Sequence, residues 1–284
     1  EFGSLRKGKG RRIMTFPDCK GREMRDSRSA LRRWTVAAAA MAVLAPFASA
    51  HPTSVELAAK FARGEYMAAA QEAEAAAGAD DLAFAARALL AYCMTGTQEP
   101  DAGIVERASK DAEAALKIEP DHEEGQLQLA IALSLKSRRM DAMAAWNAGY
   151  GEKGRKLAEA VLKADPSNYY AYGFLAVWNV EVERRGGGFG AWVMGASLDK
   201  ARSNYQMALR LAPDDVGIHW QYARALAALD AKAHAQEVAQ ALDRALAASA
   251  SDHVEQVMQG RAAELADAIK GDKVAAGKLA EVML

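Results

Sequence analysis

Few residues in this chain have both the types and the spacing that chemistry requires. The run Gly186-Gly187-Gly188-Phe189-Gly190 is glycine-rich enough to wrap a phosphate, since a backbone without Cβ atoms can approach an anion closely. A phosphate loop also needs a preceding strand and a following Gly-Lys-Ser/Thr, and neither is present, so the run is assigned as a hinge. His122, His219, His234 and His253 stand singly. No His-x3-His pair offers two ligands on one helical face, so no metal site is expected. Glu123-Glu124 and Asp214-Asp215 follow prolines, where negative charge suits a helix N-terminus better than acid–base work. Cys19 and Cys93 are too few for a disulfide framework, and Cys93 lies in an apolar stretch as a small buried hydrophobe. The expectation is a non-enzyme with no catalytic residue and no cofactor.

The elements that would carry a binding site are more legible. Three segments end alike: Ala108-x3-Ala112-x2-Ala115-Leu116-x-Ile118-x-Pro120, Gly154-x3-Ala158-x2-Val161-Leu162-x-Ala164-Asp165-Pro166, and Ala201-x3-Tyr205-x2-Ala208-Leu209-x-Leu211-x-Pro213. Each places small or apolar residues at i, i+4 and i+7, one face of a helix, and then a proline that stops it. After each proline an apolar–small pair opens another helix: Leu129-Ala130, Leu175-Ala176 and Tyr222-Ala223. Small residues recur because two antiparallel helices approach closely only where one of them carries short side chains.

These segments resemble the tetratricopeptide-repeat (TPR) family, whose motif pairs a large with a small residue on its first helix and ends its second at proline. Upstream, Gly64-Glu65-Tyr66 is similar to that family's turn. The resemblance covers nearly all of residues 52–270 and implies an all-α, right-handed α-α superhelix of about five helical hairpins. Residues 254–269 would form a capping helix and residues 271–284 a C-terminal tail. Pro120 to Pro166 is 46 residues and Pro166 to Pro213 is 47, longer than the family's 34. The surplus lies between the two helices of each repeat and is itself duplicated: Arg138-Arg139-x6-Trp146-x2-Gly149 against Arg184-Arg185-x6-Trp192-x2-Gly195. Both inserts, 138–153 and 184–200, should project from one edge of the array.

The first fifty residues stand apart from the repeats. Residues 1–23 look like cloning residue and translated leader. From Met24, Arg25, Arg28, Arg32 and Arg33 precede an apolar stretch from Trp34 to Phe47, and Ala48-Ser49-Ala50 offers a cleavage site, so 24–50 is expected to be a secretion signal. The apolar stretch is short for a membrane span. Cleavage after Ala50 makes the mature chain periplasmic and begins it at His51, whose amine and imidazole could chelate copper only with a second positioned histidine. Residues 1–50 hold 11 Lys/Arg against 4 Asp/Glu, leaving 25 basic and 33 acidic side chains beyond them, a net of -8. An acidic body argues against nucleic acid as a partner.

In the TPR family the concave groove is lined by fixed positions of each first helix. Carried over from the prolines, the resemblance implies Glu124, Leu127, Ile131, Ser134 and Leu135, then Tyr170, Gly173, Val177, Val180 and Glu181, then Gly217, Trp220, Arg224, Ala227 and Ala228. The groove is mostly apolar, with Arg224 its one candidate for holding a carboxylate. Twelve of the sixteen aromatics after residue 50 lie between Trp146 and Tyr222. The expected binding residues are therefore Leu127, Ile131, Leu135, Trp146, Tyr170, Val177, Trp178, Trp192, Trp220 and Arg224. Tyr172, Leu175 and Tyr205 are assigned to the core, and Tyr170, Trp178, Trp146 and Trp192 to exposed positions. Arg138, Arg139, Arg184 and Arg185 could dock an anionic head group or an acidic partner. The leading expectation is a periplasmic scaffold or adaptor binding a protein partner of a transport system. In general plan the chain is similar to secreted helical-repeat components of TRAP-type importers. The alternative is a carrier of a hydrophobic small molecule such as a sterol, hopanoid or fatty acid; a self-assembling homo-oligomer is a third.

Overall fold

Each proline singled out above stands just past a helix end, because it removes the N–H that a further turn would need. The structure, a computed structural model, describes residues 55–96 and 99–284, which belong to one compact unit. The leader, the secretion signal with its cleavage after Ala50, Cys19 and His51 lie outside the described residues.

The described residues form thirteen helices and no strand. They pair as hairpins: α1 (Val55–Ala62) with α2 (Tyr66–Ala76), and α3 (Ala79–Thr95) with α4 (Ala102–Ile118). Next come α5 (Glu123–Arg138) with α7 (Tyr150–Ala164), with the short α6 (Ala142–Asn147) between them. α8 (Tyr169–Met194) pairs with α9 (Leu198–Leu211), and α10 (Val216–Asp230) with α11 (Ala235–Ala247). α12 (His253–Gly271) and α13 (Lys273–Val282) complete the chain. First helices α3, α5, α8, α10 and α12 pack in succession, which makes this an α-α superhelical repeat fold.

Local chemistry explains the boundaries. After Pro120, Pro166 and Pro213 the side chains of His122, Asn168 and Asp215 accept from the backbone N–H of Gly125, Ala171 and Ile218 and cap α5, α8 and α10. The repeated small positions are the contact surface: Ala108, Ala112, Ala115, Ala158, Val161, Ala201 and Ala208 are fully buried. Tyr205 and Tyr222 stack at 4.0 Å across α9 and α10, a contact worth about 1 kcal/mol beyond its burial. Cys93 is buried as expected, and burial pushes its thiol up to about 11.

The duplicated glycines of the two inserts, Gly149 and Gly195, both adopt left-handed backbone, φ +68° and +67°. That conformation is nearly free of cost for glycine and strained for other residues, so it accounts for the repeated Gly. The inserts differ in form. The first folds as α6, whereas the second prolongs α8 through a kink at Gly187 (φ 59°, ψ -173°), a backbone region open essentially to glycine alone. They lie side by side, joined by Arg185, which donates to the Met140 carbonyl at 2.6 Å.

The array closes on itself. α12 packs against α3, and its Arg261 donates to the Gly96 carbonyl at 2.6 Å and to that of Met94. Tyr66 of α2 meets His253 at the head of α12 at 3.0 Å. Residues 273–282, assigned above to a tail, form α13, which lies on α10 and α12. Gly277 makes the approach possible: a Cβ there would sit 3.2 Å from the Ala227 carbonyl.

Candidate functional site

Three first helices show one stripe each to a common interior space. On α8 the stripe is Tyr170, Gly173, Phe174, Val177, Trp178, Glu181, Val182 and Arg185, recurring at the three- and four-residue steps of a helix face. On α5 it is Ala130, Ile131, Ser134, Leu135 and Arg138, and on α10 Gly217, Ile218, Gln221 and Arg224. Trp146 of α6, Met194 at the end of α8 and Met258 of α12 complete much of the wall, with Leu284 on the α13 side. Together they line a half-open cavity of about 490 Å³, within the range of sites that hold small organic molecules.

All three stripes begin apolar and reach an arginine, in α8 just before the kink at Gly187, and the arginines converge. Glu181 lies among them: its carboxylate accepts from Arg224 at 3.1 Å and from Arg184 at 2.8 Å. Burial opposes its charge, but Arg224, Arg184 and Arg138 outweigh that and hold the carboxyl down at about 2. Arg138 donates to the carbonyls of Glu281 (2.7 Å) and Met283 (3.3 Å) at the end of α13. Those carbonyls lack helical partners, so Arg138 acts as a C-cap for α13. Burial, then the nearby Arg224, pushes Arg138 down to about 10. Arg185 binds Ser137 Oγ at 3.4 Å besides the Met140 carbonyl, and burial together with Arg184 lowers its pKa as well.

The residues singled out in the sequence have separate fates. Ile131, Leu135, Trp146, Tyr170, Val177, Trp178 and Arg224 all face the cavity. Leu127 does not: it packs on Val161 and Ala171 inside the α5–α7–α8 junction and is 4% exposed. Trp220, placed in the groove as a partner-binding residue, is fully buried and donates its indole N–H to the Leu284 backbone oxygen at 3.0 Å. The physical reason is α13, which covers the α10 positions that an open array would leave to a partner. Arg224 also donates to the Ala280 carbonyl of α13. Trp178, assigned to an exposed position, is 8% exposed because its indole N–H reaches the Gly151 carbonyl at 2.8 Å. Trp192 and Phe189 are the true surface aromatics, 76% and 78% exposed with ring centroids 6.1 Å apart. Tyr170 and Trp146 are half exposed, at the edge of the cavity.

Sequence reasoning missed Phe174, Met194, Met258 and Leu284 as wall residues. The arginine that closes each stripe was a signal within reach; α13 was not, since its alanine-rich sequence says nothing of what it covers. His122 and His219 are structural. His122 bonds Asp80 at 2.9 Å while capping α5, and His219 lies between the Tyr205 hydroxyl (2.8 Å) and the Pro213 carbonyl (2.7 Å). No cluster of three or more His, Cys, Asp or Glu suited to a metal occurs among the described residues. No helix among them is long and apolar enough to cross a membrane.

No family model matches the sequence, and no curated protein is significantly similar to it. Among solved structures the chain is similar to a thermophilic TPR protein of Thermus thermophilus, at 19% identity, with a TM-score of 0.45. The alignment covers 78% of this chain and 94% of that one.

Proposed function

We propose that this protein is a carrier that holds a hydrophobic small molecule in the cavity between α5, α8 and α10, acting in the periplasm after export on the 24–50 signal. The observation that carries the reading is the half-open 490 Å³ space itself, walled mostly by aliphatic and aromatic side chains, with Glu181 and the arginines gathered at one end. Helical-repeat arrays commonly bind peptides along an open concave face. Here α13 lies along that face at α10, which favours a small ligand over a partner helix in the groove.

The test is direct. Protein purified from its native host and extracted with organic solvent should release a bound lipid detectable by mass spectrometry. Delipidated protein should bind 1-hexadecanol with a change in tryptophan emission, because Trp146 and Trp178 form part of the wall. Ile131→Trp, which fills the space, should abolish binding while helix content is unchanged. Delipidated protein that stays blind to hexadecanol would remove the reading.

The adaptor reading keeps one supporting observation, the exposed pair Phe189 and Trp192 on the second insert with the half-exposed Val193 beside it. A protein partner, such as a transporter subunit or periplasmic binding protein, would dock there rather than in the groove. Phe189→Glu with Trp192→Glu should then abolish recovery of that partner from periplasm without altering hexadecanol binding. Undiminished recovery would discard it.

A further inference from the structure

We infer that the ligand is an anionic amphiphile, a single apolar chain ending in a carboxylate or phosphate monoester, with its head held between Arg138 and Arg185. The inference rests on the carrier reading and deepens it.

Three independent helices give the cavity the same polarity. From Tyr170 to Arg185 along α8 is about four turns, roughly 22 Å at 1.5 Å per residue, apolar for most of that path and charged at its end. The stripes on α5 and α10 change character in the same direction and finish at Arg138 and Arg224. A neutral hydrocarbon such as a sterol skeleton would leave those guanidiniums unused. A chain with an anionic end would match both regions at once.

The charges at that end do not balance. Four guanidiniums, Arg138, Arg184, Arg185 and Arg224, stand against Glu181 and the half-exposed Glu281. Arg184 and Arg224 take up both carboxylates. Arg138 and Arg185 meet only carbonyl and hydroxyl oxygens, and among the described residues neither has a carboxylate within ion-pair distance. At longer range Glu181 acts on both and Asp141 on Arg185, but Glu181 is already paired with Arg184 and Arg224, and Asp141 accepts the backbone N–H of Ala144 as the cap of α6. Gathering like charges in a partly desolvated space is unfavourable unless an anion completes it. A guanidinium also has five donors, so each of these two retains N–H groups for a head-group oxygen.

The bland account is that Arg138 merely caps α13 and Arg185 merely ties the inserts together. The two accounts separate by ligand selectivity. Delipidated full-length protein would be titrated with palmitate, with 1-hexadecanol and with a palmitoyl lysophosphatidate, following tryptophan emission. Palmitate or the lysophosphatidate should bind at least about tenfold more tightly than the alcohol of equal chain length, as expected for charge-assisted hydrogen bonds. Whichever of the two is preferred identifies the head as carboxylate or phosphate. Arg138→Met with Arg185→Met should bring that ratio to within about twofold while hexadecanol affinity is kept. Should the double variant lose its fold, Arg185→Met alone must lower the ratio, and Arg185→Lys must retain part of it. Equal affinity for acid and alcohol in the unaltered protein overturns the head-group assignment and leaves the carrier reading standing. Failure to bind any of the three overturns the carrier reading itself.

Discussion

α8 and α10 are adjacent first helices built on one pattern, yet their concave faces have opposite fates. Tyr170, Gly173 and Val177 of α8 look into an open space, whereas Trp220 and Ala227 of α10 lie beneath the chain's own α13. The two faces are similarly apolar in sequence. What differs is what the chain does sixty residues later. α13 supplies a stripe of small residues, Ala276, Gly277 and Ala280, that fits closely against α10, and no segment among the described residues does the same for α8. An apolar groove in a helical repeat is thus a request for cover, and the covered part shows by contrast which part is left for a ligand.

The strongest way to break this comparison is to uncover α10. Trp220→Ala removes a fully buried indole and its bond to Leu284, which should cost about 3–5 kcal/mol. At roughly 2–4 °C per kcal/mol for a chain of this size, the thermal midpoint should fall by about 6–20 °C. Calorimetry checks it, and limited proteolysis should show cleavage first in α13. An unchanged midpoint would mean that α13 is not held by this contact.

Glu181 ties the two helices together, and its expected effect is somewhat smaller. Its folded-state pKa is depressed to about 2, so its contribution is fully present near neutral pH and is lost as pH falls from about 4.5 toward 2. The size is on the order of 3 kcal/mol from the shift. Glu181→Gln should therefore lower stability at pH 7 and flatten the acid limb of the stability–pH profile in that window. A variant whose acid limb matches the parent would show that Arg224 and Arg184 do not depend on this carboxylate.

Gly187 tests whether the distal half of α8 must bend. Its backbone, φ 59° and ψ -173°, is strained for any residue with a Cβ, although nothing lies within 4 Å of one built there. Gly187→Ala should cost about 1–3 kcal/mol through conformation alone, without a clash. Hexadecanol affinity should fall as Gly190 and Met194 of the wall shift, which the emission titration reads directly.

How much of this was legible in the sequence follows from what each element depends on. The ends of the three proline-ended helices were readable because proline and small-residue spacing act locally: α4, α7 and α9 end at Ile118, Ala164 and Leu211, two residues before each proline. Tyr205 was placed correctly in the core for the same reason. The site was less legible. Ile131 and Val177 have the same residue character as Leu127, yet Leu127 turns into a hairpin junction, a rotation of one helical step that composition does not report. Trp220 and Trp178 were read as free because a tryptophan on a first helix has no local feature announcing the distant carbonyl that will receive its N–H.

The smallest expected effect sharpens the comparison furthest, because it sets two copies of one motif against each other. Trp146 and Trp192 hold the same place in Arg-Arg-x6-Trp-x2-Gly, but α6 turns the first toward the cavity while the kinked end of α8 leaves the second 76% exposed. An exposed side chain with one loose ring contact contributes little, so Trp192→Ala should change stability by less than about 0.5 kcal/mol and leave hexadecanol affinity unaltered. Trp146→Ala should also be mild in stability, since the ring is half exposed, yet it removes wall area from the cavity and should weaken hexadecanol several-fold. The two variants, matched in chemistry and motif position, would then differ in binding alone. If both weaken the ligand equally, the second insert folds over the cavity in solution, and the contrast between a lining and a surface tryptophan has to be abandoned.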